Sequence, residues 1–132
     1  LEIVSKTTVP LSPSLSSVMS AKDILYFQDL IMKLPVTNNV LEYAVGVVSK
    51  TRPNSDNATD LINKYIEWGA GPRASQYMIM AAKCNAAING KYAPDIEDVK
   101  KIAFPVLRHR IVKNYKAEAE GISVDEIIKA IL

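Results

Sequence analysis

An all-α bundle of about five to six helices is the fold that the sequence predicts, and three observations carry the prediction. Apolar residues recur at helical spacing in one segment after another, proline, glycine and asparagine separate the segments, and no pair of alternating apolar and polar runs is evident. At 132 residues, 48% hydrophobic and 23% charged, the chain suits one domain around a single core.

Residues 1–17 mix β-branched residues with Pro10, Pro13 and serines and show no helical period. They read as an extended linker, so the sequence divides into a linker over 1–19 and a helical domain over 20–132. Ser20 and Asp23 have the spacing of a capping box, after which Ile24, Phe27, Ile31 and Leu34 keep helical spacing until Pro35, predicting a first helix over 21–34. Asn38 or Asn39 caps a second helix reaching about residue 51, with Val40, Ala44, Val47 and Val48 on one face and Leu41 and Val45 widening it. Its β-branched content also permits a strand, but the i, i+4, i+7, i+8 pattern fits a helix better.

Pro53, Asn54, Ser55, Asp56 and Asn57 make 52–57 a loop. A short third helix over 58–68 follows, carrying Leu61, Ile62, Tyr65 and Ile66 and ended by Gly69 and Gly71. The fourth helix, 72–89, is apolar nearly all round, as expected for the middle of a bundle. Asn89 and Gly90 form its C-cap, and Pro94 is placed as an early residue of a fifth helix with Ile96, Val99, Ile102 and Ala103 facing inward. Pro105 lacks an amide proton and predicts a kink or restart, with a short continuation to about 111. Residues 113–121 are mostly polar, and a last helix starts at a second capping box, Ser123 with Glu126, its stripe being Val124, Ile127, Ile128 and Ile131.

Several function classes are excluded or narrowed by composition. The longest uncharged apolar runs, 77–82 and 102–107, fall far short of the roughly 20 residues of a membrane-spanning helix, so none is expected. Residues 1–10 lack the apolar stretch of a signal peptide and do not begin with Met, so the sequence reads as part of something longer. The single cysteine, Cys84, precludes an intramolecular disulfide and a Cys-rich zinc site, which makes a reducing cytoplasm the expected compartment. With His109 the one histidine, no metal site is expected and no Ser-His-Asp spacing occurs. A Cys84–His109 pair is conceivable; the alternative is a buried thiol and a solvated imidazole. A net charge of +2 requires any basic patch to be local. Lys100, Lys101, Arg108, Arg110, Lys113 and Lys116 form such a stretch, readable as a phosphate-backbone surface or as a solvated face flanked by Glu97, Asp98, Glu118 and Glu120. Only Phe104 and Tyr115 offer stacking there.

No triphosphate-cradling glycine loop occurs, so the chain alone is expected neither to bind nor to turn over ATP. The informative segment is Trp68-Gly69-Ala70-Gly71-Pro72-Arg73-Ala74-Ser75. Two glycines open the backbone, Pro72 pre-sets the first helical φ, and Arg73 follows, aiming a guanidinium near a helix start where free amides and the dipole already favour an anion. The alternative is an exposed arginine on an ordinary first turn.

Gly69-Ala70-Gly71-Pro72-Arg73-Ala74 resembles the Gly-Ala-Ser-Pro-Arg-Ala signature in the lid of MoxR-type AAA+ ATPases. Tyr43 through Thr51-Arg52 resembles that family's helix ending in Thr-Arg. Gly90-Lys91-Tyr92 with Asp98-Val99 resembles its Gly-Arg-x-Tyr-Val-x-Pro-x-Asp-Val segment, and Pro105 to Ile111 its Pro-Val-Leu-x-His-Arg run. The set spans residues 36–111. The resemblance implies an AAA+ lid-type helical bundle whose Arg73 is the sensor 2 arginine, reaching towards the γ-phosphate held by a core domain upstream of Leu1. Arg73 would be the catalytic residue; Gly71, Pro72 and Arg73 would form the nucleotide-facing turn, and Tyr43 would line the adenine pocket. The intact protein would use ATP and Mg²⁺, assemble as a homo-oligomeric ring, and act in a chaperone-like manner on a client protein, without nucleic acid.

Two departures from the pattern have physical consequences. Gly71 replaces serine, which leaves the helix start nearly as well capped but removes a hydroxyl contact. Lys91 replaces arginine, keeping charge and losing the planar fork, while Tyr92 and Pro94 sit slightly early. Two rivals remain open: a helical protein-interaction module with an exposed apolar groove, and a nucleic-acid binder using Arg108, Arg110 and the neighbouring lysines.

Overall fold

In the computed structural model, which describes residues 1–10 and 16–132, the chain runs α1 (Glu2–Thr7), α2 (Ala21–Lys33), α3 (Asn38–Lys50), α4 (Asp60–Tyr65), β1 (Ile66–Trp68), α5 (Arg73–Ile88), α6 (Ile96–Leu107), β2 (Val112–Lys113), α7 (Tyr115–Ala119) and α8 (Val124–Ile131). Local chemistry sets most helix starts. At α2 the Ser20 hydroxyl accepts the Asp23 N–H at 3.2 Å while Asp23 accepts the Ser20 N–H at 2.8 Å, and Ser123 with Glu126 repeats the device at α8. Thr59 and Asn114 cap α4 and α7.

The all-α class is as expected, and α5 is its hub. Ala74, Met78, Ala82 and Ala86 lie four residues apart on its buried stripe, and mostly small side chains there let α2, α3 and α6 come close. The α3 face foreseen from sequence, Val40, Ala44, Val47 and Val48, is buried, as are Ile127, Ile128 and Ile131 of α8. α6 closes the core with Val99, Ala103, Val106 and Leu107.

Several boundaries differ from expectation. Eight helices form among the described residues because two short pieces, α1 and α7, add to the foreseen set. α1 occupies part of the expected extended linker; the Lys6–Glu2 pair at 2.6 Å and the Thr7 hydroxyl donating to the Ile3 carbonyl satisfy its groups locally, and none of its residues is buried. Residues 11–15, including Pro13, lie outside the described residues. The helix expected over 58–68 ends at Tyr65, and Ile66–Trp68 pairs antiparallel with Val112–Lys113, with an irregularity between Ile66 and Trp68. So short a ribbon depends on tertiary neighbours rather than on any local period.

Pro94 precedes the helix it was expected to open, since Asp95 is the N-cap, in a capping box with Asp98. Pro105 neither ends nor restarts α6. Pro105 is itself exposed, and so is Lys101, whose carbonyl loses its partner; the missing bond therefore faces water and the helix continues to Leu107. The apolar stripe of α2 is largely exposed: it packs on α5, yet Ile24 and Phe27 stay about half accessible. Among the described residues no helix is long and apolar enough to cross a membrane.

Candidate functional site

The approach to Arg73 is held by the C-terminal end of α3. Thr51 is fully buried; its hydroxyl donates to the Val48 carbonyl at 2.7 Å and accepts the Ala70 N–H at 2.8 Å. Arg52 Nε donates to the Ala70 carbonyl at 3.0 Å. Both polar groups of one buried residue are therefore satisfied by two successive residues of another segment. Gly69 makes this approach possible, since a Cβ there would lie 2.4 Å from the Thr51 carbonyl oxygen and 2.7 Å from Arg52 Cα. Gly71 has open space where its Cβ would be, so glycine at that position answers no steric demand.

Pro72 takes φ −57° and ψ −30° and leads directly into α5, whose first residue is Arg73. This start has no side-chain cap and no acidic residue in its first turn; the Ala74 and Ser75 N–H groups close on the Gly71 and Pro72 carbonyls, while the positive end of the helix dipole faces no carboxylate of that turn and so favours an anion. The Arg73 side chain is exposed and makes no hydrogen bond or ion pair with the described residues. The other arginines are engaged. Arg52 holds Ala70, Arg108 forms a two-pronged pair with Asp125 at 2.6 and 2.7 Å, and Arg110 donates to the Val106 carbonyl at 2.6 Å while lying 5.0 Å over the Tyr77 ring.

Tyr43 is half-buried on α3, and its hydroxyl donates to the Leu132 carbonyl at 2.6 Å. Eight residues separate it from Thr51, or about 12 Å along the helix axis. Gly71, Pro72 and Arg73 thus form one turn, with Tyr43 further down the helix that holds it. Cys84 lines the groove between α2 and α5, whereas His109 sits in hydrogen-bond contact with Arg110 on the exposed end of α6. Among the described residues no cluster of three metal-ligating side chains occurs.

Three of the six basic residues of the stretch pair with carboxylates of the chain. Besides Arg108 with Asp125, Lys100 pairs with Glu97 at 2.7 Å and Lys113 with Glu118 at 3.0 Å. Lys91 holds a second, partly buried cluster. Its ammonium lies 3.0 and 3.1 Å from the oxygens of Asp98 and 2.9 Å from Asp95, and Asn85 Nδ2 donates to Asp98 at 2.7 Å. Gly90, at φ 71°, turns the chain so that the Lys91 N–H reaches back to the Ala86 carbonyl.

These contacts lower the carboxylates and raise the bases that face them. The Lys91 ammonium, then the Asp98 amide, hold Asp95 down to about 2. Arg108 lowers Asp125, the Tyr65 hydroxyl and then Lys64 lower Glu120, and the Ser123 and Ser20 caps lower Glu126 and Asp23. A carboxylate whose folded pKa is depressed stabilises the fold above its unfolded value and loses that contribution as pH falls through the folded one. The melting temperature is therefore expected to hold down to about pH 5 and to drop between about pH 4 and pH 2. Thermal denaturation followed by circular dichroism checks this; a flat profile across that window removes these carboxylates as stabilising groups.

The Arg73 turn and the backbone-opening role of Gly69 are legible in the sequence, but the grip of Thr51 and Arg52 on Ala70 is not. Their contacts join residues 18 and 19 apart, which no local pattern reports. The Asp95–Asp98 box was readable, since an N-cap aspartate with an acid three residues on is a capping signature.

The AAA lid domain family matches residues 58–131. Chaperone MoxR1 of Mycobacterium tuberculosis is 32% identical over 120 residues, which is 91% of this chain and 32% of that protein. The uncharacterised protein YeaC of Bacillus subtilis is 24% identical over 119 residues, 90% of this chain and 34% of YeaC. The crystal structure of a candidate ATPase from Cytophaga hutchinsonii matches with a TM-score of 0.83 and 31% identity, covering 96% of this chain and 38% of that one. The chain thus spans about a third of the length of the curated relatives it matches. With the family's match extending over more than half the sequence and its fold shared by the solved relative, this chain belongs to the AAA lid domain family and is a lid of the MoxR type.

Proposed function

We propose that this lid senses bound ATP through Arg73 and couples hydrolysis in a core domain to remodelling or maturation of a client protein. The observation that carries the reading is the contrast among arginines. Arg52, Arg108 and Arg110 are committed to groups of this chain, while Arg73 stands exposed at a helix start lacking both cap and acidic neighbours. That environment suits a phosphate, to which a guanidinium offers a two-pronged contact.

ATP with Mg²⁺ would supply the phosphoryl group and its charge-neutralising metal, both held by the core. From the lid, Arg73 would meet the γ-phosphate, Gly71 and Pro72 would shape the turn, and Tyr43 would be the aromatic set against the base. A guanidinium placed where charge builds up during phosphoryl transfer lowers the barrier and distinguishes ATP from ADP. Losing that contact after hydrolysis frees the lid to rotate against the core. In this reading the protein works in the cytoplasm as a ring of identical subunits.

In the full-length protein, Arg73→Ala is expected to lower ATP turnover at least about tenfold while the lid stays folded, as loss of one transition-state contact does. Turnover within twofold of the parent would remove Arg73 from the mechanism. An apolar groove of about 380 Å³ between α2 and α5, lined by Phe27, Ile31, Cys84 and Ile88 among others, favours a second reading as a protein-interaction module. A function carried by that groove alone would be indifferent to Arg73. The pairing of Arg108, Lys100 and Lys113 within the chain weighs against a phosphate-backbone surface there.

A further inference from the structure

We infer that Thr51 and Arg52 are positioning residues for Arg73, fixing the direction in which its side chain leaves the lid; the inference rests on the sensing role proposed for Arg73. Ala70 is 1% exposed and gripped at both its N–H and its carbonyl. Three residues later Arg73 begins α5, and of the two between them Pro72 has its φ fixed by its ring. Gly71 is the one soft joint between the grip and the arginine. The far side of the turn is rigid too, because the Ala74 N–H closes on the Gly71 carbonyl at 2.9 Å and Ala74 is buried against the core.

Packing alone does not require this arrangement. At position 51, valine would fill the same buried volume, yet the residue present carries a hydroxyl that spends both its donor and its acceptor capacity, the acceptor on Ala70. Arg52 likewise gives its Nε to a backbone carbonyl and not to a carboxylate. A long flexible side chain at an exposed helix start has many rotamers, so a fixed backbone beneath it is the means by which the fold narrows where its charge can go.

The test uses the full-length ATPase. Thr51→Val keeps shape and removes the hydroxyl, and is expected to lower kcat about five- to tenfold with KM for ATP within about twofold, as the loss of about one hydrogen bond of positioning implies. Thr51→Ser should restore kcat to within about twofold of the parent. On an Arg73→Ala background, Thr51→Val should cause no further loss, since the residue it positions is gone. Hydrogen exchange of the peptide spanning residues 69–77 should rise in Thr51→Val and not in Thr51→Ser.

A further loss on the Arg73→Ala background, or an unchanged kcat in Thr51→Val where Arg73→Ala is slow, overturns the positioning role and leaves the sensing role standing. Should Arg73→Ala itself turn over normally, the sensing role fails, and exchange in the 69–77 peptide then decides whether Thr51 fixes the turn at all: unchanged exchange overturns it. If Thr51→Val does not fold, Arg52→Gln, which removes the donor to the Ala70 carbonyl alone, carries the same kinetic and exchange comparison.

Discussion

Replacing Gly69 with alanine is expected to destabilise this chain by about 3 kcal/mol or more, the largest effect of a methyl group added at any of its five glycines. The added Cβ would sit 2.4 Å from the Thr51 carbonyl oxygen and 2.7 Å from both its carbonyl carbon and Arg52 Cα. All three neighbours are backbone atoms, so no side chain can swing aside. Either the end of α3 moves away from the turn or the turn moves off α3, and both movements break the Thr51 and Arg52 bonds to Ala70. Each lost bond adds about 1 kcal/mol to the strain. Gly71→Ala is the matched control: its Cβ meets nothing within 4 Å, and its stability should stay within about 0.5 kcal/mol of the parent or rise slightly as the unfolded chain loses freedom. Urea unfolding of the two variants side by side checks the pair. A Gly69→Ala midpoint indistinguishable from that of Gly71→Ala would mean that the two segments are not in contact.

The same turn shows what the sequence could and could not disclose. Residues 69–73 announce themselves locally, because two glycines, a proline and an arginine in that order specify an open turn entering a helix. The partner of the turn does not, since Thr51 ends a helix in the ordinary way and nothing about it foretells a buried bond to Ala70. α8 was legible throughout because a capping box and an apolar stripe agree, whereas α4 was foreseen too long because Ile66 and Trp68 continue an apolar period that the chain spends on a ribbon with Val112 and Lys113. α6 was foreseen broken because a proline's effect depends on which side of the helix it faces. The charges of residues 100–116 allow a phosphate surface or a solvated face from sequence alone; the flanking Glu97 and Glu118 do pair with Lys100 and Lys113, whereas Asp125, the partner of Arg108, lies outside that window.

Loss of the Lys91 ammonium is the second large effect. Asp98 is wholly buried and accepts from Lys91, the Asn85 amide and the Asp95 N–H, so its charge is met by one cation and two dipoles. Lys91→Met takes away the cation and leaves the carboxylate where water reaches it poorly, a change that costs 3–5 kcal/mol in fully buried pairs. The Lys91 side chain is 37% exposed, so water offsets part of that cost and the loss is expected to fall below that range while still lowering the unfolding midpoint clearly. Lys91→Arg should be neutral or slightly stabilising, since both Asp98 oxygens already face the ammonium at nearly equal distance and a planar fork can take one each. Adding Asp98→Asn to Lys91→Met removes the stranded charge and should recover more than half the loss, which separates an electrostatic penalty from lost packing of the lysine stem. If Lys91→Met unfolds at the parent's midpoint, water and not Lys91 is what solvates Asp98. Lys91 follows the end of α5 that lies opposite Arg73, about 24 Å away along a helix of 16 residues. Below the melting range its loss is therefore expected to leave ATP turnover by the full-length protein unchanged, and so to separate the stability of the lid from the proposed reach of its arginine.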